Sequence, residues 1–95
     1  MKIWVDDIRK APSGYTWCRS VNEAREVISR NTNIEVIDLD HDAGDYAHFG
    51  GDYIKLLDWL EETKQNYPIK IHSMNPVGVD NMRRIIKKNG WTEIK

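Results

Sequence analysis

The sequence contains one cysteine, Cys18, so the chain can close no internal disulfide. It has no apolar run near the length of a membrane span. Met1-Lys2-Ile3-Trp4 lacks the make-up of a signal peptide, so the expected location is cytoplasmic. No repeat or low-complexity tract is visible. An excess of one charge is also missing: 14 basic residues stand against 15 acidic ones, for a net charge of −1. That excludes a general electrostatic footprint for bulk nucleic acid or a membrane surface. A local phosphate site needs only a few groups and stays open.

What is present fits one small domain, residues 1–95, with a real but modest core. Hydrophobic residues at 40% and charged residues at 31% are globular proportions and argue against disorder.

The most informative stretch is Ile34 to Gly44. Ile-Glu-Val-Ile-Asp-Leu reads as a buried strand, and it ends in Asp40-His41-Asp42 before a glycine turns the chain. Buried charge is costly unless it is paired or metal-bound, so a site at the carboxyl end of this strand is the economical explanation. Asp38 lies inside the strand and needs either a buried partner or a place near the sheet's edge.

The rest of the chain alternates strands and helices. Lys2 to Asp6 is a first strand ending in Asp6-Asp7. Arg9, Lys10, Pro12 and Gly14 mark a loop, and Tyr15 to Arg19 reads as a second strand. The link between them is short for a parallel crossover. Ser20-Val21-Asn22-Glu23 is a capping box, opening a helix that ends near Arg30 with Val21, Ala24, Val27 and Ile28 on its buried face. Residues 43–51 read as a loop. A second helix is expected from about Asp52 to Asn66, stopped by Pro68. Ile69 to Ser73 is a strand. Asn75-Pro76 opens a third helix, which Gly90 closes, and Trp91 to Ile94 is a last strand. Trp4, Trp17, Trp59 and Trp91 are expected in the core, as is Cys18.

Such alternation implies a mostly parallel sheet flanked by helices, with ligands at the carboxyl ends of the strands. Asp6-Asp7, Asp40-His41-Asp42 and His72-Ser73 all stand at such ends. Crowded carboxylates either raise a pKa or hold a cation. Magnesium suits carboxylate oxygens and bridges to phosphate, so Asp6, Asp7 and Asp40 are candidate ligands for Mg2+, or for Mn2+. His41 and His72 titrate near neutrality and are candidates for proton transfer. Ser73, Asn75 and the start of the third helix can hold phosphate oxygens. Arg9 can pair a phosphate, or an acid such as Asp6 or Asp42. Tyr46, His48 and Phe49 lie in a glycine-bounded loop able to cover a ligand and to stack on a base.

These residues resemble a receiver domain, with an acidic pair after the first strand, an aspartate ending the third and a serine ending the fourth. The usual first and last helices are missing, and so is the fifth-strand Lys-Pro, although Lys95 lies just beyond. Asp6-Asp7-Ile8-Arg9 with Pro12 and Gly14, Leu39-Asp40-His41-Asp42, and His72-Ser73-Met74-Asn75-Pro76-Val77-Gly78 are more closely similar to the cyclic-phosphate processing receiver domains. The resemblance implies a single three-layer, flavodoxin-like α/β domain with a mostly parallel sheet. It implies a metal-dependent phosphoesterase acting on a cyclic phosphate, either a small nucleotide or an RNA end. Asp40, His41 and His72 would be catalytic, and Arg9, Ser73 and Asn75 would hold phosphate. Two other functions stay open: a phospho-accepting receiver with Asp40 as nucleophile, and a non-enzymatic module that senses a nucleotide or binds a protein. Oligomeric state is not legible.

Overall fold

The computed structural model describes all 95 residues. Its strands are β1 (Lys2–Val5), β2 (Tyr15–Cys18), β3 (Val36–Leu39), β4 (Ile69–Ile71) and β5 (Glu93–Ile94). The helices are α1 (Val21–Arg30), α2 (Ile54–Glu62) and α3 (Pro76–Lys88). The strands form one all-parallel sheet in the order β2-β1-β3-β4-β5. This is the flavodoxin-like order, and the expected receiver-like class without the first and last helices is what the chain adopts. No helix is long and apolar enough to cross a membrane.

Local signals in the sequence have structural partners. The Ser20 hydroxyl accepts from the Glu23 amide at 3.0 Å, and Glu23 accepts in turn from the Arg19 amide at 2.7 Å. Asn75 caps α3 by accepting from the Gly78 amide at 3.1 Å, with Pro76 in the first turn. The short β1–β2 link needs no helix because its own groups tie it down. Asp6 Oδ1 accepts from the amides of Ile8 and Arg9, and the indoles of Trp4 and Trp17 donate to the carbonyls of Arg9 and Asp6.

Several boundaries differ from expectation, among them β4, which ends at Ile71 rather than Ser73, and α2, which begins at Ile54 rather than Asp52. Helix α2 stops at Glu62 rather than Asn66, because Lys64 turns left-handed at φ 58° and the Gln65 amide bonds back to the Leu60 carbonyl. Residues Gly44–Phe49, expected as loop, wind into a 3-10 helix. Strand β5 keeps only Glu93–Ile94 of the expected Trp91–Ile94.

The layering also differs. The crossovers through α1, α2 and α3 all step the same way across the sheet, and right-handed connections therefore put all three helices on one face. Their buried residues join Ile3, Val5, Cys18, Ile37, Leu39 and Ile69 in one cluster of 17. On the opposite face the register aligns Trp17, Trp4, Asp38, Lys70 and Ile94 in one row across the sheet. The expected third layer is missing, because the two absent helices are the ones that would cover this face. All four tryptophans are half-buried: Trp59 and Trp91 pack against the edge of the core, whereas Trp4 and Trp17, expected there too, do not. Trp4 and Trp17 stand on the uncovered face, and Trp59 lies beneath the Arg25 guanidinium. Cys18 is fully buried as expected, and its thiol is pushed up to about 12 by burial and then by Glu23.

Candidate functional site

Asp6, Asp40 and His72 are each the first residue after a strand: β1, β3 and β4 respectively. The sheet places them side by side. The Asp40 amide donates to the Val5 carbonyl and the His72 amide to the Leu39 carbonyl, both at 3.0 Å. Strand order reverses between β1 and β3, where open α/β sheets form their ligand crevice. One potential ligand atom from each of the three residues lies within 4.8 Å of the others.

His72 is held from three sides. Its Nδ1 meets Asp38 Oδ1 at 2.7 Å and its Nε2 meets Asp6 Oδ2 at 2.8 Å. Its ring stacks flat on Trp4, with centroids 3.9 Å apart and planes 4° from parallel. Two carboxylates only accept, so both ring nitrogens donate and the imidazole is a cation. Burial opposes that charge, but the bonds to Asp38 and Asp6 outweigh it and raise the His72 pKa. Burial likewise pushes the Asp6 carboxyl up, yet the amides of Arg9 and Ile8, with His72, hold it below its ordinary value.

The other acids are less well matched. Asp7 is raised by burial and then by the charges of Asp6 and Asp40, with only its own backbone hydrogen bond working against them. It stands outside the close trio, with its Oδ2 against Gly44. A side chain at Gly44 would overlap that oxygen, and φ 56° favours glycine there in any case. Crowded carboxylates of this kind fit a cation. Asp6 and Asp40 supply oxygen donors, with Asp7 close by, and His72 supplies a nitrogen only where Nε2 gives up both its proton and its bond to Asp6.

His41 is held differently. Its amide donates to Asp40 Oδ1 at 2.7 Å, and its Nδ1 lies 2.9 Å from Asp42 Oδ1. The Asp42 side chain is 63% exposed. The ring lies against the first turn of α3 at Gly78, and a Cβ built there would overlap it. Arg9 reaches the same edge. Its Nη1 donates to the His72 carbonyl at 3.3 Å, and no carboxylate lies within ion-pair distance of it. The Ser73 hydroxyl accepts from the Asn75 amide at 3.0 Å and keeps its own proton to donate. Asn75 spends its side-chain oxygen on the helix cap.

The sequence therefore named most of the residues that converge here. It missed the partner of Asp38, the stacking role of Trp4 and the contact of Gly78 with His41. Strand alternation carried a signal for the first two, because Trp4 and Asp6, Asp38 and Asp40, and Lys70 and His72 share one face. Nothing local marked Gly78.

The family model described as the cyclic-phosphate processing Receiver domain matches residues 1–88. Searches of curated proteins and of solved structures gave no match. The matched span includes every residue named at this edge.

Proposed function

Since that model covers residues 1–88 of 95, the chain belongs to the cyclic-phosphate processing receiver domain family, and from this premise we propose that the strand-end site opens a cyclic phosphodiester with the help of a divalent cation. The observation that carries the reading is the convergence of Asp6, Asp40 and His72 from three strands within 4.8 Å.

Asp6 and Asp40 hold the ion in this reading, and Asp7 contributes charge. With oxygen donors alone the site suits magnesium; a nitrogen from His72 moves the preference towards manganese. When bound there, a cation would supply Lewis-acid stabilisation of charge on the phosphoryl oxygens. The unpaired Arg9 guanidinium, the Ser73 hydroxyl and the free amides at the start of α3 bind the remaining oxygens. Water adds one oxygen to phosphorus and gives up a proton to solvent while one ester P–O bond breaks. The leaving oxygen takes a proton from a donor that solvent then restores, so the step balances. That proton comes from His41, whose Nε2 has no protein partner, rather than from His72, whose two nitrogens are both engaged. His72 is then a positioning residue that keeps Asp6 ionised and aimed.

The phospho-accepting alternative has less support. Receiver chemistry uses a lysine beside the acceptor aspartate, and Lys95, the nearest counterpart in sequence, pairs with Glu93 at 3.9 Å.

The test is a screen of nucleoside 2′,3′-cyclic and 3′,5′-cyclic phosphates with Mg2+ and Mn2+, using Asp40→Asn as the control. Metal-dependent turnover that this variant loses is the expected result. Equal turnover by the variant would remove Asp40 from the mechanism. Acid-labile phosphate on Asp40 after treatment with a small phosphodonor, without turnover of any cyclic phosphate, would favour the receiver reading.

A further inference from the structure

A cavity of about 330 Å³ lies next to the acids, lined by Arg19, Ser20, Glu23, Tyr46 and Phe49. It begins one hydrogen bond from the candidate metal site. Arg19 Nε and Nη2 donate to the Asp7 carbonyl at 3.0 and 2.6 Å. The Arg19 guanidinium is fixed between two rings, 4.9 Å from the Trp17 centroid and 4.7 Å from that of Tyr46. It makes no ion pair within the chain.

Phe49 lies at the end of the 3-10 helix and is 54% exposed. It takes no part in the buried core, so folding does not account for its place. Its ring tilts 47° from Tyr46 at 6.2 Å, and both residues line the cavity. The remaining wall is polar. Glu23 accepts from the Arg19 amide through Oε1 and keeps Oε2 free, while the Ser20 hydroxyl keeps a proton to donate.

An exposed aromatic face beside a few hydrogen-bonding groups is the chemistry of a nucleobase site: the ring stacks and the edge is met by polar atoms. An apolar peptide would leave Glu23 Oε2 and the remaining Arg19 N–H groups covered without partners. We propose that this cavity is a nucleobase subsite. Resting on the cyclic-phosphate reading, this makes the substrate a nucleoside cyclic phosphate, with its phosphate at the strand-end acids and its base against Phe49 and Tyr46.

The experiment compares adenosine 2′,3′-cyclic phosphate with base-free glycerol 1,2-cyclic phosphate, titrated calorimetrically into the full chain and into Phe49→Ala. The variant should lose about fivefold or more in affinity for the nucleoside ligand, the scale of one lost stacking contact, and keep its affinity for the base-free one. Equal affinities of the wild-type chain for both ligands, or a loss in the variant common to both, would overturn the subsite. If the wild-type chain binds neither cyclic phosphate, the function proposed above fails, and adenosine alone decides the subsite. Shifts in the Phe49 and Tyr46 ring resonances on adding adenosine would keep it, and their absence would overturn it.

Discussion

His72 and His41 stand on the same edge of the sheet and are held in opposite ways. His72 follows a strand, is clamped by two buried carboxylates and stacks on Trp4. His41 begins a loop, leans on one exposed carboxylate and touches backbone at Gly78. In the proposed mechanism the difference separates two tasks. Groups fixed by neighbouring strands keep the ligand atoms in place, because moving them means breaking paired charges in a low-dielectric setting. A loop-borne histidine with a free ring nitrogen can exchange a proton without disturbing that frame.

The strongest way to break the contrast is to remove each histidine's carboxylate in turn. Asp38→Ala leaves a buried imidazolium without one partner and should cost about 3–5 kcal/mol of unfolding free energy. Asp42→Ala removes an exposed ion pair and should cost no more than about 1 kcal/mol. Urea denaturation of both variants measures the gap, and similar losses would erase the distinction.

Gly78→Ala acts on His41 alone. An added methyl displaces the ring, and a displacement of about 1 Å can cost about a hundredfold in turnover. Divalent-ion binding should be kept in the same variant, because the added methyl meets the His41 ring rather than Asp6, Asp40 or His72. A loss of ion binding in step with turnover would show that the two halves of the site are not separate.

The clamp also sets a pH window for the metal-free protein. The His72 pKa is raised above the ordinary 6.5, so its contribution is complete below that value and fades as pH climbs through the folded pKa. The Asp6 pKa is lowered below the ordinary 3.8, so its contribution is complete above that value and fades as pH falls through the folded pKa. Thermal melts in a chelator should therefore show both contributions at full strength only between 3.8 and 6.5, each declining beyond its own limit rather than vanishing there. Asp38→Ala should flatten the upper limb, and Asp42→Ala should not.

The smallest effect is a gain. Asp7 is the acid whose pKa is raised, by burial and then by Asp6 and Asp40, so Asp7→Asn should slightly stabilise the metal-free chain at neutral pH. The same change should weaken divalent-ion binding. Stabilisation with unchanged ion binding would mean that Asp7 is crowded for some other reason.

The sequence disclosed the strand-borne half of the site more fully than the loop-borne half, for a physical reason. Short apolar runs ending in Asp6, Asp40 and His72 announce both a parallel sheet and polar groups at one edge of it. Alternation along each strand then fixes which side chains share a face. The partner of Asp38 depended on the β3–β4 register, which sets Asp38 opposite Lys70 with His72 one pleat further on. The His41–Gly78 contact depended on how a loop folds over the start of α3, and no periodicity encodes that. The missing helices were legible, but their consequence was not: with the tryptophans read as core, the uncovered face stayed hidden.

The central claim is that Asp6 and Asp40, steadied by His72, hold one divalent ion beside a separate proton donor, His41. Calorimetric titration of the metal-free protein with Mn2+ tests it most directly. One ion per chain in the wild type, lost in Asp40→Asn and kept in His41→Gln, is the expected result. An ion bound as tightly by Asp40→Asn as by the wild type would contradict it.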